Sequence, residues 1–173
     1  AGLGCTRGLC DAGVALTDLD AIVITHLHSD HYLELGPLFH TAWTAGLNKP
    51  VPVIGPEGLD TYWMGFLASM EFDISLRLRD EGRPALAPLA EISVIAEGAH
   101  PLGPLTMKVL RNAHPPIEDS FALRFDGGTC STVISGDTAP IPEMVPFAEG
   151  ADLLVHEAML SAGIDALCAR VGN

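Results

Sequence analysis

The chain of 173 residues carries 9 basic against 22 acidic side chains, a formal charge of −13, with 48% hydrophobic and 18% charged residues. That apolar share is enough for a real core and excludes a disordered tail or a fibre, and at this length one domain over 1–173 is the expectation. No apolar run approaches the roughly 18 residues that a membrane-spanning helix needs, and the acidic balance counts against binding that rests on neutralising phosphates with Lys and Arg.

In chain order, Leu19 to Thr25 reads as a buried strand, and the apolar spacing of Leu35, Leu38, Phe39, Ala42 and Trp43 reads as a helix beginning near Asp30. Between them lies Thr25-His26-Leu27-His28-Ser29-Asp30-His31, three imidazoles and a carboxylate on a strand-to-helix turn. There His26 and His28 project towards one metal, while Asp30 and His31 point from the first helical turn towards a second. Val51 to Ile54 is a short strand, and Gly55 to Gly58 turns into a helix carrying Tyr62, Trp63, Phe66 and Leu67 as core residues. Asp73 to Arg79 alternates as a strand, and Gly82 to Pro88 is a loop rich in breakers.

The remainder is strand-rich: Ile92 to Ala96, Leu105 to Leu110, Ser120 to Phe125, Thr129 to Ile134 and Asp152 to Val155, with short helices at Pro142 to Ala148 and Gly163 to Val171. Asp137, taken alone, reads as a turn or N-cap aspartate, and His156 with Glu157 as a strand-end pair. His40, on the helix after the motif, and His100, in the loop Gly98 to Pro101, are read as structural or surface residues. Cys5, Cys10, Cys130 and Cys168 show neither C-x-x-C spacing nor the density of a disulfide scaffold, so they read as small packing side chains, compatible with a reduced compartment.

The H-x-H-x-D-H turn, His114 in Asn112-Ala113-His114-Pro115-Pro116, Asp137 in Ser135-Gly136-Asp137-Thr138, and His156-Glu157-Ala158 occur in an order that resembles the metallo-β-lactamase-fold hydrolases, in their arylsulfatase-like and ribonuclease Z-like branch. Met159 stands where that branch carries the threonine of its H-E-A-T box. The resemblance implies an α/β fold, the αβ/βα four-layer sandwich. It implies His26, His28 and His114 on one metal, Asp30 and His31 on a second, and Asp137 between them. Asp30, His156 and Glu157 would be the catalytic groups, with His156 acting at the leaving group and its acidic neighbour setting its protonation. The family has a hairpin before Gly4-Cys5-Thr6-Arg7-Gly8-Leu9 and a further metal-binding histidine after the H-E-A box, so an internal fragment, incomplete at both termini, is expected.

Imidazole and carboxylate donors suit Zn²⁺, with Mn²⁺ or Fe²⁺ as alternatives. Two such ions can share a hydroxide at neutral pH, which calls for no serine or cysteine nucleophile. The function expected is hydrolysis of a small sulfate ester, phosphodiester or related ester. A ribonuclease Z-type transfer-RNA endonuclease and a non-catalytic binding domain are the alternatives. Only 23 positions separate His114 from Asp137, too few for the long RNA-gripping arm of that ribonuclease. With the acidic balance, this sets the expected partner as a small molecule, with nucleic acid unlikely, no membrane, and a homodimer left open. A cytoplasmic rather than periplasmic location is expected.

Overall fold

A computed structural model describes residues 1–171 of the chain. Among the described residues, eight strands form two sheets. β1 (Ile22–Val23), β2 (Val51–Gly55) and β3 (Ala90–Val94) make a parallel three-stranded sheet in that order. β4 (Gly98–Leu102), β5 (Leu105–Arg111), β6 (Phe121–Gly127) and β7 (Cys130–Ile134) pair antiparallel in sequence order, and β8 (Leu153–Val155) joins β7 in parallel. The helices are α1 (Cys5–Asp11), α2 (Ser29–Tyr32), α3 (Leu35–Thr44), α4 (Leu59–Ser69), α5 (Glu71–Glu81), α6 (Met144–Ala148) and α7 (Ser161–Val171).

Two apolar clusters follow from the strand period of two and the helix period of 3.6. Helix α3 buries Leu35, Leu38, Phe39, Ala42 and Trp43, its stripe at i, i+3, i+4, i+7 and i+8, against Ile22, Val51 and Val53 from one face of the parallel sheet. The alternate residues Val23 and Ile54 point the other way and pack with Met107, Val109, Phe121 and Leu123 of the second sheet. The parallel sheet is thus covered on both faces, as parallel sheets require. Trp63 is buried, and Tyr62 and Phe66 pack beside it, in line with their reading as core.

Several expected elements are corrected. Asp73 to Arg79 is not a strand but part of α5. Its apolar residues do alternate, yet only Ile74 is buried, and the face that packs is Met70, Ile74 and Leu78, spaced four apart. Arg77 pairs with Asp73 at 2.8 Å and Glu81 at 3.0 Å, both at helical spacing. His100 lies on β4 rather than in a loop, paired with Met107. The first strand shrinks to two residues, because the chain leaves the ladder to enter the histidine turn. The helix expected from Asp30 is two pieces, α2 and α3. Helix α1 lies outside the expected elements; its Cys5 and Leu9, four apart, pack against the first core. Among the described residues no helix is long and apolar enough to cross a membrane.

Candidate metal centre

Four strand ends deliver the predicted site. His26 follows β1, His114 follows β5, Asp137 follows β7, and His156 follows β8, while Asp30 and His31 stand on α2. The two sheets are stitched together at this end, where the Phe121 amide donates to the Thr25 carbonyl at 3.1 Å. Nearby, the Asn112 amide donates to the Ser120 carbonyl at 3.0 Å, closing the loop that presents His114.

His26 is fully buried. Its Nδ1 lies 3.1 Å from the Thr25 hydroxyl, which orients the ring, and its Nε2 is buried with no hydrogen-bond partner. Leaving such an atom unsatisfied costs about 1–3 kcal/mol, a penalty that a cation at that nitrogen would remove. Burial, then the neighbouring His31, lowers its pKa from 6.5 to about 4, with His114 and His28 adding to the effect and Asp137 opposing it. The ring is therefore neutral at pH 7, the form that ligates metals.

His28 Nδ1 and His114 Nε2 are 2.9 Å apart, and Asp137 Oδ2 lies 3.9 Å from Nε2 of both His26 and His114. One donor atom from each of His26, His28, His114 and Asp137 falls within 4.8 Å of the others. Three imidazoles and a carboxylate are a donor set that zinc accepts. The other oxygen of Asp137, Oδ1, is 3.3 Å from His31 Nε2, which is 3.4 Å from Asp30 Oδ2. Asp137 thus turns one oxygen to each group.

A cavity of about 1130 Å³ has Asp30, His31, Asp137, His156 and Glu157 in its wall, together with apolar residues of both sheets such as Leu123 and Ile134. His156 is exposed, with Nδ1 2.9 Å from the Glu157 backbone carbonyl. The Glu157 carboxylate turns elsewhere and accepts the Thr138 amide. His40 and His100 stand apart from the cluster: His40 Nε2 is 2.9 Å from Asp73 Oδ2, joining α3 to α5, and His100 Nε2 is 2.8 Å from the Ala96 carbonyl.

Sequence reading missed the residues that hold the site. Ser135 and Thr138 flank Gly136-Asp137 and bond to its surroundings; hydroxyls on both sides of a Gly-Asp pair were the available signal. Glu34 accepts the amides of Gly4, Cys5 and Thr6 and so fastens α1 beside the motif helix. Its partners lie some thirty residues away, so no local pattern announces them.

This architecture, with a histidine–aspartate cluster at the strand ends, is the metallo-β-lactamase fold. Human tRNase Z, short form (ELAC1), superposes with a TM-score of 0.70 at 22% identity over 95% of this chain and 68% of its own. The metallo-β-lactamase fold protein YhfI from Bacillus subtilis does so with a TM-score of 0.62 at 22% identity over 89% and 55%. The chain belongs to the family described as Anti-Pycsar protein Apyc1, whose model matches residues 1–170, within the ribonuclease Z-like branch of the metallo-β-lactamase superfamily. Ribonuclease Z of Mycobacterium sp. (strain KMS) is 33% identical over 162 residues, 90% of this chain, and that of Mycobacterium bovis (strain BCG / Pasteur 1173P2) is 32% identical over 160 residues, 88% of it. The chain spans 57% of the length of these curated relatives.

The relatives overturn the expected partners. Proteins at 33% identity are named ribonuclease Z, so a small-molecule substrate with nucleic acid unlikely does not stand, and the ribonuclease alternative is favoured over a sulfate ester. Net charge misled because it sums the whole chain, whereas a phosphate meets the local field, which any ion held by the His and Asp donors would dominate. The short stretch between His114 and Asp137 is occupied by β6 and β7, which leaves the absence of an inserted arm in place but not the conclusion drawn from it.

Proposed function

We propose that this chain carries the metal centre of a phosphodiester hydrolase that acts on RNA, of the ribonuclease Z kind. The observation that carries this reading is the convergence of His26, His28, His114 and Asp137 around the buried, unpartnered Nε2 of His26. His26, His28, His114 and Asp137 Oδ2 would hold one zinc ion, and Asp30, His31 and Asp137 Oδ1 a second. Such ions supply Lewis-acid charge for a phosphoryl oxygen and a nucleophile at neutral pH.

The chain's own groups do the rest. Burial keeps His26 neutral, so its nitrogen is available without competition from protons at pH 7. Asp30 Oδ2 stands 3.4 Å from His31 Nε2, so both donors face the same place. His156 reaches the same cavity wall as Asp137; with its Nδ1 donating to the Glu157 carbonyl, its other nitrogen is left to carry a proton towards a departing ribose oxygen. The relatives' printed names support RNA as the substrate class.

Metal analysis of the purified protein, followed by incubation with precursor transfer RNA, tests the reading. Close to two zinc equivalents, with cleavage that a chelator stops and zinc restores, is the expected result. Metal content unchanged by His28→Ala combined with Asp137→Ala would sink the ligand assignment. Turnover of an activated bis-aryl phosphate with RNA left intact would sink the RNA reading.

A further inference from the structure

Residue 157 holds the Asp137 turn from both sides. Its amide donates to Ser135 Oγ at 3.0 Å, that hydroxyl donates to the Gly136 carbonyl at 2.6 Å, and its carboxylate accepts the Thr138 amide. Asp137 sits between the two grips. The same turn fastens the neighbouring loop: the Ala113 amide donates to Thr138 Oγ1 at 3.2 Å, the Ala139 amide donates to the Ala113 carbonyl at 2.6 Å, and Asn112 Nδ2 donates to the Ser135 carbonyl at 2.8 Å. His114 follows Ala113 directly. Asp137 and His114, which arrive from different strands and meet in one donor cluster, are therefore set against each other through a frame whose end is the side chain of Glu157.

We propose that Glu157 is a positioning residue for Asp137, acting through the Thr138 amide, and not a group that exchanges protons during the reaction. A carboxylate that accepts a backbone amide makes a charge-assisted bond, stronger than one to a neutral acceptor. That bond commits the carboxylate to the turn. His156 takes the Glu157 backbone carbonyl instead, so the acid and the imidazole, adjacent in sequence, are not paired through their side chains. Partners of this kind behind metal ligands change metal affinity roughly 10- to 100-fold when removed.

The proposal rests on the metal centre read above, and two isosteric variants separate it from a role in proton transfer. Glu157→Gln keeps the length and an acceptor oxygen but cannot titrate; Glu157→Asp keeps the acid but withdraws it from Thr138 by a methylene. Zinc affinity by competition with a chromophoric chelator, the pH profile of turnover on an activated bis-aryl phosphate, and amide exchange at Thr138 in chelator-treated protein are measured for both. Positioning requires Glu157→Gln to keep zinc affinity within about threefold, with an unchanged pH profile and a protected Thr138 amide. It requires Glu157→Asp to lose roughly 10- to 100-fold in zinc affinity and to expose that amide. The reverse pattern, Glu157→Gln losing turnover at least 100-fold with zinc retained and Glu157→Asp active, would overturn it. So would an equally protected Thr138 amide in both. If the unaltered protein binds no zinc, the metal-centre reading fails on its own, and Thr138 exchange still decides whether Glu157 holds the turn.

Discussion

Gly136→Ala is the substitution whose cost the structure defines most sharply. Gly136 has φ +60°, and a Cβ there would meet the Phe121 carbonyl oxygen at 2.8 Å and Asn112 Nδ2 at 3.2 Å. Phe121 is buried, and its amide already bonds Thr25, so the carbonyl has little room to retreat. The left-handed backbone costs about 1–2 kcal/mol for alanine, and overpacking about 1–3 more, or about 2–5 kcal/mol together. In a chain of this size that lowers Tm by roughly 4–20 °C. Because the next residue is Asp137, any relief comes from moving the turn, and metal affinity should fall with stability. Gly128→Ala is the internal control: φ is +55° but nothing lies within 4 Å of the added Cβ, so only the backbone cost applies. Denaturant melts and zinc titrations of both variants make the comparison. Equal losses in the two, or unchanged zinc affinity in Gly136→Ala, would refute the steric account.

Chelator-treated protein should lose stability as pH falls below 6.5, since folded His26, with a pKa of about 4, refuses a proton that the unfolded chain accepts. The loss flattens below pH 4, reaches about 2 kcal/mol by pH 5 and about 3 kcal/mol in full, and denaturation of His26→Asn should show a shallower pH dependence over that window; identical slopes would contradict it. Glu34→Ala strips an acceptor from the amides of Gly4, Cys5 and Thr6. It should cost about 1–2 kcal/mol and speed amide exchange in α1 before the rest of the chain, an order that exchange mass spectrometry resolves.

Much of the site was legible because its chemistry is compressed. Six residues place His26, His28, Asp30 and His31 on a strand-to-helix turn. The helix α3 and the strands β5 to β7 were legible for a related reason, since burial of one stripe or one face writes a period into the sequence. Helix α5 was misread where two periods coexist: Phe72, Ile74, Leu76 and Leu78 alternate, but the pairs Asp73–Arg77 and Arg77–Glu81 and the packing of Ile74 select the helix.

What the sequence by itself determined, then, was the donor set, since ligand type and local spacing are covalent properties of the chain. Only the tertiary structure decided how the donors are joined. Asp137 reaches both groups because β7 ends beside β1 across the two sheets, and His114 stands 2.9 Å from His28 although 86 positions separate them. The parts that hold these residues in place, Glu157 on Thr138 and Glu34 on the amides of Gly4, Cys5 and Thr6, are hydrogen bonds between distant segments. Such bonds leave no period and no spacing, because their partners become neighbours only when the sheets have packed.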